Sequence, residues 1–259
     1  MTAATTNAQP VLRRRDGQIG HITLNRPQAL NTITADLAAQ LEEALSELAQ
    51  DSDAIIIRGA GGSFCAGADL KFVREHRSDA EAMRSFVEAV GRTFELIETL
   101  PIPVVAAVEG HCIGGGFELL QACDFAVAAE DAVIADGHVQ FGQIPGAGSM
   151  VRLGRLIGRQ AAFGILLSGQ RFSGAQAAVR GLVHQAFPPA KFEQCVAELA
   201  ADFRRRGRDL LRTVKQTMIE LEQMPIEQAL AREREAFLEH VSGPVAGEGL
   251  ERFVARTTK

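Results

Sequence analysis

Pro103-Val104-Val105-Ala106-Ala107-Val108-Glu109-Gly110-His111-Cys112-Ile113-Gly114-Gly115-Gly116-Phe117-Glu118-Leu119-Leu120 reads as a buried strand, a tight glycine turn and a helix with a carboxylate in its first turn. The glycines let backbone N–H groups approach a ligand closely, and the start of a helix adds free donors and partial positive charge. Such a junction suits an oxygen that becomes anionic, with an acid/base group beside it. A single strand–glycine–helix junction is common in α/β proteins, and the helix dipole alone favours a glutamate there. A second junction adds weight. Ser63-Phe64-Cys65-Ala66-Gly67-Ala68-Asp69-Leu70-Lys71 follows the apolar run Ala54-Ile55-Ile56-Ile57 through Gly59-Ala60-Gly61-Gly62, so another strand feeds a loop of small residues with exposed amides.

Outward from these two stretches, periodicity predicts strands near Val11-Arg15 and Gly20-Leu24 and a helix from about Thr34 to Ala49, striped by Leu37, Leu41, Leu45 and Leu48. The strand Ala54-Arg58 follows, then a helix from Asp79 to Leu100 with Met83, Phe86, Val90, Phe94 and Ile97 at helical spacing. Short strands are expected at Phe125-Ala129 and Val133-Ala135, and a mostly helical pattern from about Ala147, broken by an apolar stretch near Leu182-Ala186. Alternating strands and helices predict an α/β core with helices outside it.

Of 259 residues, 46% are hydrophobic, enough for a sizeable core, and the net charge of -5 argues against a nucleic-acid surface held by general positive charge. No apolar stretch approaches the roughly 18 to 20 residues that cross a bilayer, and Met1 to Pro10 lacks the pattern of a secretory signal. A cytoplasmic protein without membrane partners is expected. Cys65, Cys112, Cys123 and Cys195 show no CxxC spacing, so neither a metal site nor a disulfide framework is expected, and no activator marks a catalytic thiol. The run Arg204-Arg205-Arg206-Gly207-Arg208 reads as a solvated helix end.

The chain resembles the crotonase superfamily, the enoyl-CoA hydratase/isomerase family, through pieces in the family's order. These are Ile22-Thr23-Leu24-Asn25-Arg26-Pro27-Gln28-Ala29-Leu30-Asn31, Ala66-Gly67-Ala68-Asp69-Leu70 and Ile113-Gly114-Gly115-Gly116-Phe117-Glu118-Leu119. Gly142-Gln143-Ile144-Pro145-Gly146-Ala147-Gly148, Arg152-Leu153, Leu167-Ser168-Gly169-Gln170-Arg171-Phe172 and Ala177-Ala178-Val179-Arg180-Gly181-Leu182-Val183 continue it. The resemblance implies a spiral of repeated ββα units over residues 1–195 and a helical oligomerisation region over 196–259, assembling as a homotrimer or hexamer. The substrate implied is an acyl-CoA thioester, with no separate cofactor.

The resemblance also implies site roles. Ala68 and Gly115 match the positions whose N–H groups form an oxyanion hole for the thioester carbonyl, stabilising an enolate more than the starting ester. Ala66, Ala68, Asp69, Leu70, Lys71, Gly114 and Gly115 match the loops that bind CoA and substrate, with Lys71 and Arg26 as candidates for phosphate contact. Gln28 stands where many relatives carry lysine.

Glu118 matches the first of the hydratases' two catalytic glutamates. The second is expected twenty residues on, where this chain has His138. An imidazole, with a pKa of about 6.5, can serve as acid or base at neutral pH, so Glu118 and His138 are the candidate catalytic pair. The direction of the His138 pKa shift is open from sequence, because a nearby Glu118 raises it and burial lowers it. His111 is a weaker candidate for lining the acyl pocket. Hydration of a 2-enoyl-CoA leads, with double-bond isomerisation next. Hydrolysis, decarboxylation or retro-aldol chemistry of a CoA ester, and a non-catalytic acyl-CoA-binding protein, are the further alternatives.

Overall fold

A computed structural model describes residues 9–257. The chain opens with a hairpin of β1 (Val11–Asp16) and β2 (Ile19–Leu24), then α1 (Ala35–Asp51), whose first turn is capped by the Thr34 side chain accepting from the Leu37 N–H. β3 (Ala54–Gly59), α2 (Leu70–His76) and α3 (Ala80–Thr99) follow, with Asp69 and Asp79 as the caps of the two helices. Next come β4 (Val104–Val108), β5 (His111–Ile113), α4 (Gly115–Ala122), β6 (Phe125–Ala129), β7 (Val133–Ala135), α5 (Ser149–Ile157) and α6 (Arg159–Ser168). β8 (Phe172–Ser173), α7 (Gly174–Val179) and β9 (Gln185–Phe187) close the sheets. α8 (Phe192–Arg206), α9 (Arg208–Leu221), α10 (Ile226–Val241) and α11 (Pro244–Thr257) end the described chain.

One sheet has the order β1-β2-β3-β4-β6-β9, parallel except for the β1–β2 pair, and a smaller one has the order β5-β7-β8. β4-β5-α4 and β6-β7-α5 each put a first strand in the large sheet and a second in the small one, a ββα repeat not visible in the residues themselves.

Both faces of the large sheet are covered, so its central strands are apolar without alternation. On one face Ile55, Ile57, Val104 and Ala106 pack against α1, α3 and α4 through Leu41, Phe94 and Phe117. On the other, Ile56, Val105 and Val127 meet Phe192, Val196, Ala200 and Phe203 of α8. The boundary expected between residues 195 and 196 therefore falls inside a helix whose apolar stripe is part of the sheet core. Beyond α8, burial becomes sparse: α9 and α10 each bury one residue, Lys215 and Ala236. Among the described residues, no helix is long and apolar enough to cross a membrane.

Candidate active site

Two loops leave neighbouring parallel strands, β3 and β4, and meet backbone to backbone. The bridge between Cys65 and Cys112 joins them, with the Cys65 N–H donating to the His111 carbonyl and the Ile113 N–H to the Cys65 carbonyl. Gly116 is required by this approach, since a Cβ there would run into the Cys65 carbonyl oxygen. Gly114, at φ +57°, turns the chain from β5 into α4 in a conformation that L side chains rarely adopt.

The result is a convergence of two amides. A Cβ built on Gly115 would lie 3.4 Å from the Ala68 nitrogen. Flanking N–H groups are engaged, Ala66 with the Leu30 carbonyl, Asp69 with Ile33 and Gly114 with Ala135, whereas among the described residues the Ala68 N–H donates to no acceptor. Gly115 is the first residue of α4, where helix geometry supplies no intrahelical acceptor for its N–H.

Both residues line a cavity of about 140 Å³ that also contains Glu118 and His138. Apart from Gln143, its other walls are apolar, chiefly Ile33, Val73, Met83, Phe86 and Val90, from α2, α3 and the stretch before α1. Ile144 and Ala147 close it from the loop that leads into α5.

Glu118 is only 3% exposed, and its two oxygens are placed differently. Oε1 accepts from the Ala147 N–H at 2.7 Å and the Ser149 N–H at 3.2 Å, so the carboxylate sits at the N-terminus of α5. Oε2 lies 3.8 Å from His138 Nε2. Burial pushes the carboxyl up from its ordinary range, opposed by the Ser149 N–H, the His138 charge and the Ala147 N–H.

His138 follows the left-handed Gly137 at the start of a short 3-10 turn, and its ring is 17% exposed. Nδ1 lies 3.0 Å from Oδ1 of Asp136, a residue fully removed from solvent. Burial works against the charged ring, but the hydrogen bond and charge of Asp136, joined by Glu118, outweigh it and hold the pKa above the ordinary value. The direction left open by the sequence is thus upward.

The other expected site residues fall in several environments. Ala66 and Asp69 are half-buried, while Leu70 and Lys71 are exposed at the start of α2, whose Lys71 N–H donates to Asp69 Oδ1. Arg26 is held within the loop, donating to the Thr32 carbonyl at 2.6 Å and pairing with Asp69 Oδ2 at 3.2 Å. His111 does not line the cavity; its Nδ1 lies 3.2 Å from Ser63 Oγ. Cys65 and Cys112 are buried and burial drives their thiols up, that of Cys65 to about 12, which leaves them protonated at neutral pH. Within the basic run, Arg208 caps the end of α1 by donating to the Ala49 and Ser52 carbonyls.

Sequence reasoning missed three partners of the candidate pair. The N–H groups of Ala147 and Ser149 are 29 and 31 residues from Glu118, and backbone donors leave no signature in residue type. Asp136 had one signal, a carboxylate two residues before the histidine.

Residues 14–259 match the family model described as enoyl-CoA hydratase/isomerase. A short-chain-enoyl-CoA hydratase of Clostridium acetobutylicum is 31% identical over 249 residues, covering 95% of each chain. An enoyl-CoA isomerase/hydratase of Mycosarcoma maydis, fer4, is 38% identical over 191 residues, 70% of this chain and 69% of its own. Among solved structures, an enoyl-CoA hydratase from Bacillus anthracis superposes with a TM-score of 0.88 at 32% identity, over 96% of this chain and 97% of its own. The protein belongs to the enoyl-CoA hydratase/isomerase family, and its fold is that of the crotonase superfamily. It is an acyl-CoA enzyme of that family by relationship.

Proposed function

We propose that the protein is an enoyl-CoA hydratase that adds water to a 2-enoyl-CoA with an apolar acyl chain, using Glu118 as base and His138 as acid. The observation that carries this reading is the facing of Glu118 Oε2 and His138 Nε2, 3.8 Å apart, in the cavity that the Ala68 and Gly115 residues also line. Two donors converging on a thioester carbonyl oxygen would stabilise the charge that arrives there when water adds at Cβ.

The proton count closes. Water gives its oxygen to Cβ and a proton to Glu118 Oε2, and the resulting enolate takes the Nε2 proton of imidazolium at Cα. A neutral imidazole and a carboxylic acid remain, and proton return between Oε2 and Nε2 restores the starting state. The addition consumes only water and the thioester, with CoA entering as part of the substrate.

The loop from Ala66 to Lys71, with Gly114 and Gly115, would carry CoA, and Lys71, exposed at its end, would reach a phosphate. Arg26 would act on that loop through Asp69. Exposed Val214, Met218, Leu230, Phe237 and Leu238 on α9 and α10 support a homo-oligomer, a trimer or a pair of trimers, covering these helices.

Incubation with a panel of acyl- and enoyl-CoA thioesters tests the function, with products identified by mass and NMR. Gain of one water by a 2-enoyl-CoA supports hydration. A shifted double bond at unchanged mass would establish isomerisation instead, and binding without turnover of any thioester would leave only an acyl-CoA-binding protein.

A further inference from the structure

The triad-like line Asp136–His138–Glu118 contains a residue with no role in the reaction as written. Asp136 is fully buried at the end of β7, in the chain turn that carries His138. Its Oδ1 is 3.0 Å from His138 Nδ1 and also accepts from the His138 backbone N–H at 3.4 Å, while Oδ2 has no hydrogen-bond partner among the described residues.

A capping residue for this turn would need only one acceptor. An asparagine could provide it without placing a charge in the interior, and buried charge is costly unless it is paired. The pairing available to Asp136 is with the His138 ring. An ionised carboxylate is acceptor only, so the Nδ1 atom facing it must carry a hydrogen. That leaves Nε2 as the atom that gains or loses a proton, and Nε2 is the nitrogen 3.8 Å from Glu118 Oε2.

We infer that Asp136 is a positioning residue: it fixes the Nδ1–H form of His138 and aims Nε2 at Glu118 and the cavity. The inference rests on the reading of His138 as the acid of the proposed hydration. It adds the group that makes an imidazole serviceable where relatives use a second glutamate. The charged groups bearing on the His138 ring are Asp136 on its own turn and Glu118 on α4, and both favour imidazolium. Losing the Asp136 charge removes the larger of the two opposing influences on a ring that burial would otherwise hold neutral.

The test uses the full chain labelled with 15N and 13C at histidine, with His138 assigned by the resonance lost in His138→Gln. In the parent protein the neutral ring should show Nδ1–H and a bare Nε2, and should titrate above 6.5, the ordinary histidine value. In Asp136→Asn the titration should move down, and the alkaline limb of the kcat profile should move down with it. kcat at neutral pH should fall by roughly 10²-fold, the lower bound of what a positioned acid or base contributes, with KM nearly unchanged.

A parent ring with hydrogen on Nε2 and a bare Nδ1 overturns the inference without any variant, so poor folding of Asp136→Asn does not protect it. An unchanged His138 titration in a folded Asp136→Asn protein overturns it as well. Failure of the hydratase reading has a different signature: the tautomer and titration behave as stated while no enoyl-CoA is hydrated.

Discussion

Two clusters of charged side chains in this molecule are built on opposite plans. At the junction of α9 with the sheet, Lys215 Nζ donates to the Ile97 and Ile102 carbonyls and pairs with Asp124 Oδ2 at 2.8 Å, and that same oxygen accepts the Val104 N–H. All three donor positions of the ammonium are engaged. In the cavity, Glu118 keeps Oε2 and His138 keeps Nε2 at a separation too long for a hydrogen bond, and Asp136 Oδ2 is unpartnered among the described residues. A saturated pair holds parts together, whereas an unsaturated one leaves capacity for a substrate. The difference separates residues that serve the fold from those proposed to serve chemistry.

Substitution at each group should sharpen that contrast. Glu118→Gln keeps the shape and one acceptor for the Ala147 and Ser149 N–H groups but removes the base. Turnover should drop by roughly 10² to 10⁴, the usual worth of such a group, with the melting temperature close to that of the parent. Lys215→Met should do the reverse. It leaves the Ile97 and Ile102 carbonyls and the Asp124 carboxylate without their cation, and desolvation already pushes that carboxyl up. Denaturant unfolding should show a loss of about 1 to 3 kcal/mol, the range for leaving buried acceptors unpaired, with kcat at saturating substrate little changed in the folded fraction. A stable Lys215→Met protein with poor turnover would erase the distinction.

The folding pattern was legible where the chain supplies long periodic segments. α1 and α3 lie within two residues of their expected limits because their leucine and phenylalanine stripes face the sheet, and the caps Thr34 and Asp79 end the pattern sharply. Among the short elements, the strands expected at Phe125-Ala129 and Val133-Ala135 are β6 and β7, whereas β5 and α2 were not foreseen. β5 has one buried residue between two half-buried ones, and α2 is seven residues with none buried, so neither carries a period that sequence could reveal. Glu118 and His138 could be nominated by position alone, but their geometry depends on the loop that leads into α5 and on a carboxylate hidden at the end of β7. Long-range backbone donors and a buried Asp136 are products of tertiary packing. The phosphate candidate Arg26 shows the converse, since a cation in a binding motif is here engaged by the Thr32 carbonyl and by Asp69 of the neighbouring loop.

Protonation offers a finer separation. The folded His138 pKa lies above its ordinary 6.5, so the stability it contributes is fully present below 6.5 and is lost as pH rises through the raised value. The Glu118 carboxyl is also raised, so it too binds its proton more tightly in the folded chain and adds to the decline as its own titration is passed. As imidazolium acid, His138 should set the alkaline limb of the rate profile, and Glu118, needed ionised, the acid limb. His138→Ala should abolish the alkaline limb and flatten the corresponding part of the stability curve measured by urea unfolding. A limb that survives in His138→Ala assigns the titration elsewhere.

The smallest effect is expected at the exposed end of the site. Lys71→Ala should weaken CoA thioester binding by less than about 1 kcal/mol, and by less still in added salt, because an exposed ion pair is weak and screened. Isothermal titration at low and high ionic strength reads this directly. Equal affinity of parent and variant at low salt would remove Lys71 from the phosphate site.

The central claim, that Glu118 and His138 exchange protons with a thioester held by the Ala68 and Gly115 amides, is tested most directly by deuterium. A 2-enoyl-CoA incubated with the protein in D₂O should yield a 3-hydroxyacyl-CoA carrying one deuterium at Cα, at a rate that collapses in Glu118→Gln. A thioester recovered unlabelled and unhydrated, or label entering at the same rate in Glu118→Gln, would contradict it.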